Sequence, residues 1–325
     1  MIVDIQDLSW TYEDGEWKRS LVDFLVLLSL NRQHAVIAQP DALLSWCENY
    51  LPTHVDYFKT RLASAQFRSN SLTIHVSPGG ANEITSAPPW HVSAQAAYGL
   101  INRPLRLVLE NDQSDKLFIE ATIPAFSQWC SLGWISPAMG GGSAMQNDIA
   151  ITASDQTSKW RTFYLFDSDR LHPGELSPGW SPPAGDSCQG HKFEAACVNL
   201  PIERWHRLER RSIENYLPEN VLTPVNNVLS NTLFSGSIGT MVHFYNFKKG
   251  LAGDGIFPPS INQVARAARS QGFWTALPMN DINTLQSGFG SSISKEFGNV
   301  PANFPWPADV LAEMYKLADA LQDAI

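Results

Sequence analysis

The chain is short of positive charge. Its 325 residues carry 23 Lys and Arg against 32 Asp and Glu, a net charge of −9 with histidine neutral. A free-standing protein that binds nucleic acid without sequence preference is usually basic, because its affinity comes from neutralising phosphates. Here nucleic acid, if it is the substrate, must meet a local basic patch or be presented by a partner protein. Long hydrophobic runs are also lacking. The longest, LVDFLVLLSL at 21–30, is interrupted by Asp23 and too short to cross a bilayer, so it reads as a core helix. The opening MIVDIQDLSW has neither the basic flank nor the small-residue cleavage site of a signal peptide. The expectation is therefore a cytoplasmic protein with no membrane contact. Cysteine is scarce at four residues, which suits that compartment. Cys47 and Cys130 sit among Trp and Leu as buried thiols, while Cys188, His191 and Cys197 lack the CxxC pair and fourth ligand of a structural zinc site. No GxSxG nucleophile elbow occurs, which weakens any serine-hydrolase reading of Gly140-Gly141-Gly142-Ser143. Internal repeats and low-complexity blocks are absent too.

What is present is ample material for a core: 44% hydrophobic residues, with 11 Trp and 16 Phe, enough for one large or two modest domains. Three parts are expected. Residues 1–100 form an α+β region, with helices at 17–30, 40–51 (capped by Asp41) and 56–67 and a strand at 71–76. The Gly/Pro/Ser-rich stretch 77–89 that follows is either a surface connection or a substrate-facing flap.

The second part, 101–218, reads as a βαβ succession around a parallel sheet, an α/β fold. Its organising stretch is 105–115, LRLVLENDQSD, an apolar run that stops on acids. Leu105, Leu107, Val108 and Leu109 read as a buried strand, and Glu110 stands at its carboxyl end, where open α/β sheets bind ligands. A helix follows from about 115 to 131 with Asp115 as its cap, and Pro124 should end or kink it. A short strand near 134–137 closes on the three glycines, and a helix over 143–153 starts from Ser143. Phe163–Phe166 reads as the next strand, ending on Asp167 and Asp169. Residues two apart leaving a strand point the same way. Two carboxylates held together repel unless a cation lies between them, and hard oxygen ligands suit Mg²⁺ or Mn²⁺. The Pro/Gly-rich loop 171–190 lies beside these acids, with Trp180 either stacking on a base or packed on the domain. A helix at 191–199 and a strand at 205–208 complete the part. Arg204, Arg207, Arg210 and Arg211 cluster there, either to hold phosphate or to pair with Glu203, Glu209 and Glu214.

The third part, 219–325, is mostly helical, with helices at 221–233, 261–271 and 307–325. Val310, Leu311, Met314, Leu317, Ala318 and Leu321 give the last an apolar stripe, which serves a core or a docking partner.

Together these features carry a resemblance. Glu110 after one strand, Gly140-Gly141-Gly142 after a second and Asp167/Asp169 after a third resemble the Toprim domain, the α/β metal module of topoisomerases, primases and OLD-type nucleases. HRLERRSIENY at 206–216 and Phe247-Lys248-Lys249-Gly250 resemble segments of Toprim-related anti-phage proteins, such as the effector of the PARIS system. The resemblance covers roughly 105–217 and implies a Toprim-like Rossmannoid core. It departs in one place: the family usually has Gly after the first Glu and an acid four residues beyond it, whereas here Asn111 follows and Asp115 lies one residue further on. Asp112 and Asp115 are both candidates for the further metal ligand. The resemblance implies a Mg²⁺- or Mn²⁺-dependent nuclease in a bacterial defence complex. Glu110, Asp167 and Asp169 would be catalytic, with Arg170, Arg210, Arg211, Glu214, Lys248 and Lys249 on the substrate side. Its partners would be nucleic acid and a second protein, for example an ATPase. The alternative is a non-catalytic Toprim-like subunit that binds nucleic acid or such a partner.

Overall fold

The computed structural model describes residues 1–5, 22, 24–28, 34–65, 72–77, 82–85, 87–184, 186, 188–258 and 269–325. Its strands form two four-stranded sheets, each parallel throughout. The first comprises β1 (Ile2–Ile5), β2 (Ala35–Ala38), β3 (Thr73–Ser77) and β4 (Trp90–Ser93), in the order β2-β1-β3-β4. The second comprises β5 (Leu105–Leu109), β6 (Ile135–Met139), β7 (Thr162–Phe166) and β8 (Trp205–Arg207), in the order β6-β5-β7-β8. In each sheet the second strand lies outside the first, and the third and fourth lie on its other side. The chain thus builds one strand order twice.

In the first sheet Val3, Ile5, Val36, Ile74, Val76, Trp90 and Val92 point to one core. Leu43, Trp46 and Cys47 of the Pro40–Tyr50 helix and Ala97, Leu100 and Ile101 of the Ala94–Ile101 helix enter the same core. Asp41 lies in the first turn of its helix rather than at the cap; Pro40 takes the first helical position, where a missing N–H costs nothing. Of this sheet only β3 is legible in the sequence. The other strands are four residues long, too short for alternation to stand out. Most of the expected helix at 17–30 and of that at 261–271 lies outside the described residues; 24–28 are helical.

The second sheet is covered on both faces, as parallel sheets require. Leu105, Leu107, Leu109, Phe163 and Leu165 face one way, into a core with Phe118, Ile119 and the C-terminal helices. Val108, Tyr164 and Phe166 face the other way, onto Met145, Ile149, Phe193 and Cys197. All five residues of β7 are buried. Pro124 divides the expected helix in two, Ser114–Thr122 and Phe126–Ser131. The helix after the glycines runs Gly142–Ala153, one residue earlier than expected, with Gly141 at its cap. Pro224 likewise lies between the helices Glu219–Leu222 and Asn227–Leu233.

The C-terminal region is no appendage. The stripe of the Ala308–Ala324 helix, Val310, Met314, Leu317 and Leu321, is buried in the same core as one face of the second sheet. Glu313 of that helix is 3% exposed and takes hydrogen bonds from Tyr216 Oη (2.6 Å) and the Glu209 amide (2.8 Å). Among the described residues no helix is long and apolar enough to cross a membrane.

Candidate functional site

In the second sheet β5 connects outward to β6, and the chain then crosses back to β7 on the far side of β5. The carboxyl ends of β5 and β7 therefore flank the point where the connections diverge, which opens a crevice in any sheet of this order. Glu110 leaves β5 and Asp167 leaves β7 at that crevice. They meet: the Asp167 amide donates to Glu110 Oε1 at 2.9 Å. Asp167 Oδ1 in turn accepts from the Ile213 amide at 3.0 Å. Asp169 Oδ2 accepts from the Gly190 amide at 2.9 Å, at the start of the Gln189–Asn199 helix. That approach needs glycine, because a Cβ on Gly190 would stand 2.3 Å from the Asp167 carbonyl oxygen.

Asp115 joins the group, though not as a helix cap. Asn111 Oδ1 accepts from the Gln113 and Ser114 amides, and Asp115 Oδ2 reaches back to the Asn111 amide at 3.0 Å. This places the Asp115 side chain, 8% exposed, inside the loop below Glu110, while Asp112 is exposed. An Asx turn at Asn111 thus decides which acid after Glu110 faces inward.

A fifth acid comes from the Ile213–Tyr216 turn. Asn215 caps that turn reciprocally with Ser212, and its side-chain amide donates to the Val242 and Tyr245 carbonyls. Tyr216 anchors it on Glu313. Between them Glu214 is turned inward to 1% exposure, with Oε1 2.9 Å from Lys248 Nζ and Oε2 accepting from Ser212 Oγ at 2.7 Å. Lys248 sits on a backbone held by the 286–290 segment: the Phe289 amide donates to the Phe247 carbonyl, and a Cβ on Gly288 would lie 2.4 Å from that same oxygen.

The electrostatics follow from this crowding. Burial, the Asp169 charge and Asp115 push the Glu110 carboxyl up to about 7, against the hydrogen bond from the Asp167 amide. Burial pushes Asp115 up to about 6. Asp167 is driven well above the carboxylate range by burial and by Glu110, Glu214 and Asp115. Burial works against the Lys248 charge, yet Glu214, Asp167 and Asp115 hold its pKa above the ordinary lysine value. Lys248 thus faces four carboxylates, those of Glu110, Asp115, Asp167 and Glu214, while the Arg211 guanidinium also acts on Asp167 and Asp169. The donor atoms of these carboxylates are all oxygen, the set that a hard divalent cation takes, and the excess negative charge is what such a cation would neutralise. Each carboxylate named above is turned onto an N–H, a hydroxyl or the lysine. Among the described residues no three His, Cys, Asp or Glu side chains come together so that they could hold a metal ion. No known protein family, curated protein or solved structure matches the chain.

The arginines named from the sequence are engaged within the chain. Arg170 donates to the Glu175 and Leu208 carbonyls. Arg210 bonds Asp309 at 2.8 Å and the Asn215 carbonyl, and lies over the Tyr216 ring. Arg211 makes a bidentate pair with Asp254 at 2.6 and 2.7 Å. Arg207 pairs with Glu194 at 2.6 Å and donates to the Ser168 carbonyl. They pin the 167–170 loop and its neighbours rather than present themselves to a phosphate. Lys249 is exposed next to Lys248. Cys188 donates to the Ser168 carbonyl, whereas Cys197 is buried in an apolar core, so the two thiols do not converge. Arg269 belongs to the site and was not singled out from the sequence: its guanidinium donates to the Asp169 carbonyl at 2.8 Å. It lies 100 positions from Asp169, and no local signal could have linked them.

Proposed function

We propose that the chain is a Mg²⁺- or Mn²⁺-dependent nuclease with a Toprim-like acidic centre, hydrolysing phosphodiester bonds of DNA or RNA. The observation that carries this reading is the meeting of Glu110 with the Asp167/Asp169 loop at the divergence point of the second sheet. Glu110, Asp167 and Asp169 would hold the cation, with Asp115 as the further carboxylate. When bound, the cation would polarise a phosphate and acidify a water. Glu110 would share the cation or act as general acid/base through its Oε2, while its Oε1 accepts from the Asp167 amide. Lys248, already facing the cluster, can turn from Glu214 to a non-bridging phosphate oxygen. Because the arginines are engaged internally and the net charge is −9, nucleic acid must come by way of a partner or a surface other than these. That fits an effector in an anti-phage complex, the setting that the resemblance suggests, with an ATPase as the second protein.

One observation favours a second reading. Every carboxylate of the cluster already has a partner in the chain. A non-catalytic subunit that keeps these acids for folding alone would look the same. Purified protein incubated with plasmid, single-stranded DNA and total tRNA, with and without Mg²⁺ or Mn²⁺, separates the two. Metal-dependent cutting that Glu110→Gln and Asp167→Asn abolish supports the enzyme. Cutting by both variants at the wild-type rate removes these acids from the mechanism.

A further inference from the structure

Asp169 is the one non-glycine residue among those described with a positive φ, at 52°. A side chain in that region costs about 1 kcal/mol or more and persists only where its surroundings impose it. Three N–H contacts do so, beside the Cys188 thiol, which reaches the Asp169 carbonyl at 3.8 Å. The Asp169 amide donates to the Arg211 carbonyl at 3.0 Å, its Oδ2 accepts from Gly190, and its carbonyl accepts from Arg269 Nη2 at 2.8 Å. The first two come from segments already at the site. The third is delivered by a guanidinium held in a cage of its own: Glu175 Oε1 at 3.3 Å, Asp186 Oδ2 at 3.2 Å and the Trp180 ring 4.9 Å below its centre. The two carboxylates lie at ion-pair distance from Nε without hydrogen-bond alignment; the aligned bond goes to Asp169. Glu175, Trp180 and Asp186 all belong to the Pro/Gly-rich loop that follows Asp169. Arg269 therefore fastens both ends of one reach of chain, the strained residue and the loop leaving it.

We propose that Arg269 is a positioning residue, which sets the direction of the Asp169 carboxylate by fixing its backbone from the C-terminal region. What that carboxylate then does rests on the metal reading above; the positioning does not. A local clasp and general stabilisation predict different results. Arg269→Ala and Arg269→Lys are compared with wild type by amide exchange at Gly190, the donor to Asp169, and by Mn²⁺ titration. Each is run with and without guanidinium at sub-denaturing concentration. In Arg269→Ala, exchange at Gly190 should speed up at least about tenfold with β5 unchanged, and Mn²⁺ affinity should fall about 10- to 100-fold, as when other residues that orient metal ligands are lost. Added guanidinium should restore most of both, by refilling the cage. Arg269→Lys keeps charge beside Glu175 and Asp186 but not the planar fork, so it should fall between, and it carries the comparison if the alanine variant does not fold. Unchanged Gly190 exchange, or a loss that spreads equally to β5 and ignores guanidinium, overturns the proposal. Wild-type protein that takes up no Mn²⁺ would remove the metal reading, while the exchange measurement would still decide the role of Arg269.

Discussion

Neutralising Glu110 should make the metal-free protein more stable. The substitution Glu110→Gln keeps an oxygen to accept from the Asp167 amide, so the 2.9 Å contact survives and only the charge is lost. In the folded chain this carboxyl is pushed up from 4.5 to about 7. Between those values the unfolded state has released its proton and the folded state has not. Unfolding then releases a proton, so stability falls as pH rises through the window. Above pH 7 the folded state bears the full cost of ionising in place, a gap of about 2.5 pH units or roughly 3 kcal/mol at about 1.4 kcal/mol per unit. Below pH 4.5 both states are protonated and the cost is absent. Urea unfolding in the presence of a chelator measures this directly. At pH 8 the variant should exceed wild type by up to about 3 kcal/mol, and at pH 4.5 the two should coincide. Adding Mg²⁺ at pH 8 should then stabilise wild type more than the variant, because the cation offsets the cost of a buried carboxylate charge that the substitution has already removed. A variant less stable than wild type at pH 8, or a difference of the same size at both pH values, would refute the reading of Glu110 as a carboxylate destabilised by burial beside Asp169 and Asp115.

Three other outcomes follow from single contacts. Lys248→Met should destabilise by about 1–2 kcal/mol, because buried Glu214 loses its counter-charge while the lysine itself, 43% exposed, is partly screened by solvent; adding Glu214→Gln should recover much of it, which a double-mutant cycle by urea unfolding reads as coupling. Gly190→Ala should cost about 1–3 kcal/mol or displace the 167–169 loop, since the new Cβ has no room against the Asp167 carbonyl. Gly236→Ala, where a Cβ meets nothing within 4 Å, is the control in the same melting experiment. Tyr216→Phe should cost about 1–2 kcal/mol in thermal melts, because Glu313 loses a donor and the Arg210 amide its acceptor.

The second sheet, and the places where its acids fall, can be read from local stretches of sequence. Strands such as β7, buried on both faces, are written as unbroken apolar runs. A run that stops on Glu110 or Asp167 marks the strand's carboxyl end without reference to anything distant. Pro124 and the glycines at 140–142 were readable for the same reason, because their effects act on the chain within a residue or two. The first sheet is readable only at β3, since its three four-residue strands carry too few positions to separate a period of two from chance. Nor could any local pattern say which acid after Glu110 turns inward. Asp112 and Asp115 are equally acidic on paper, and the choice falls to an Asx turn that buries one and exposes the other. Tertiary structure alone decided the fate of the charges. Arg210 and Arg211 could have met phosphate, but Asp309 and Asp254 reach them first. Lys248, Arg269 and Glu313 were brought to the acidic end from the C-terminal region by the burial of its apolar side chains in the core of the second sheet. Apolar burial has no direction of its own and is spread over dozens of side chains. Its consequence for one charged side chain therefore exists only once the whole core has closed.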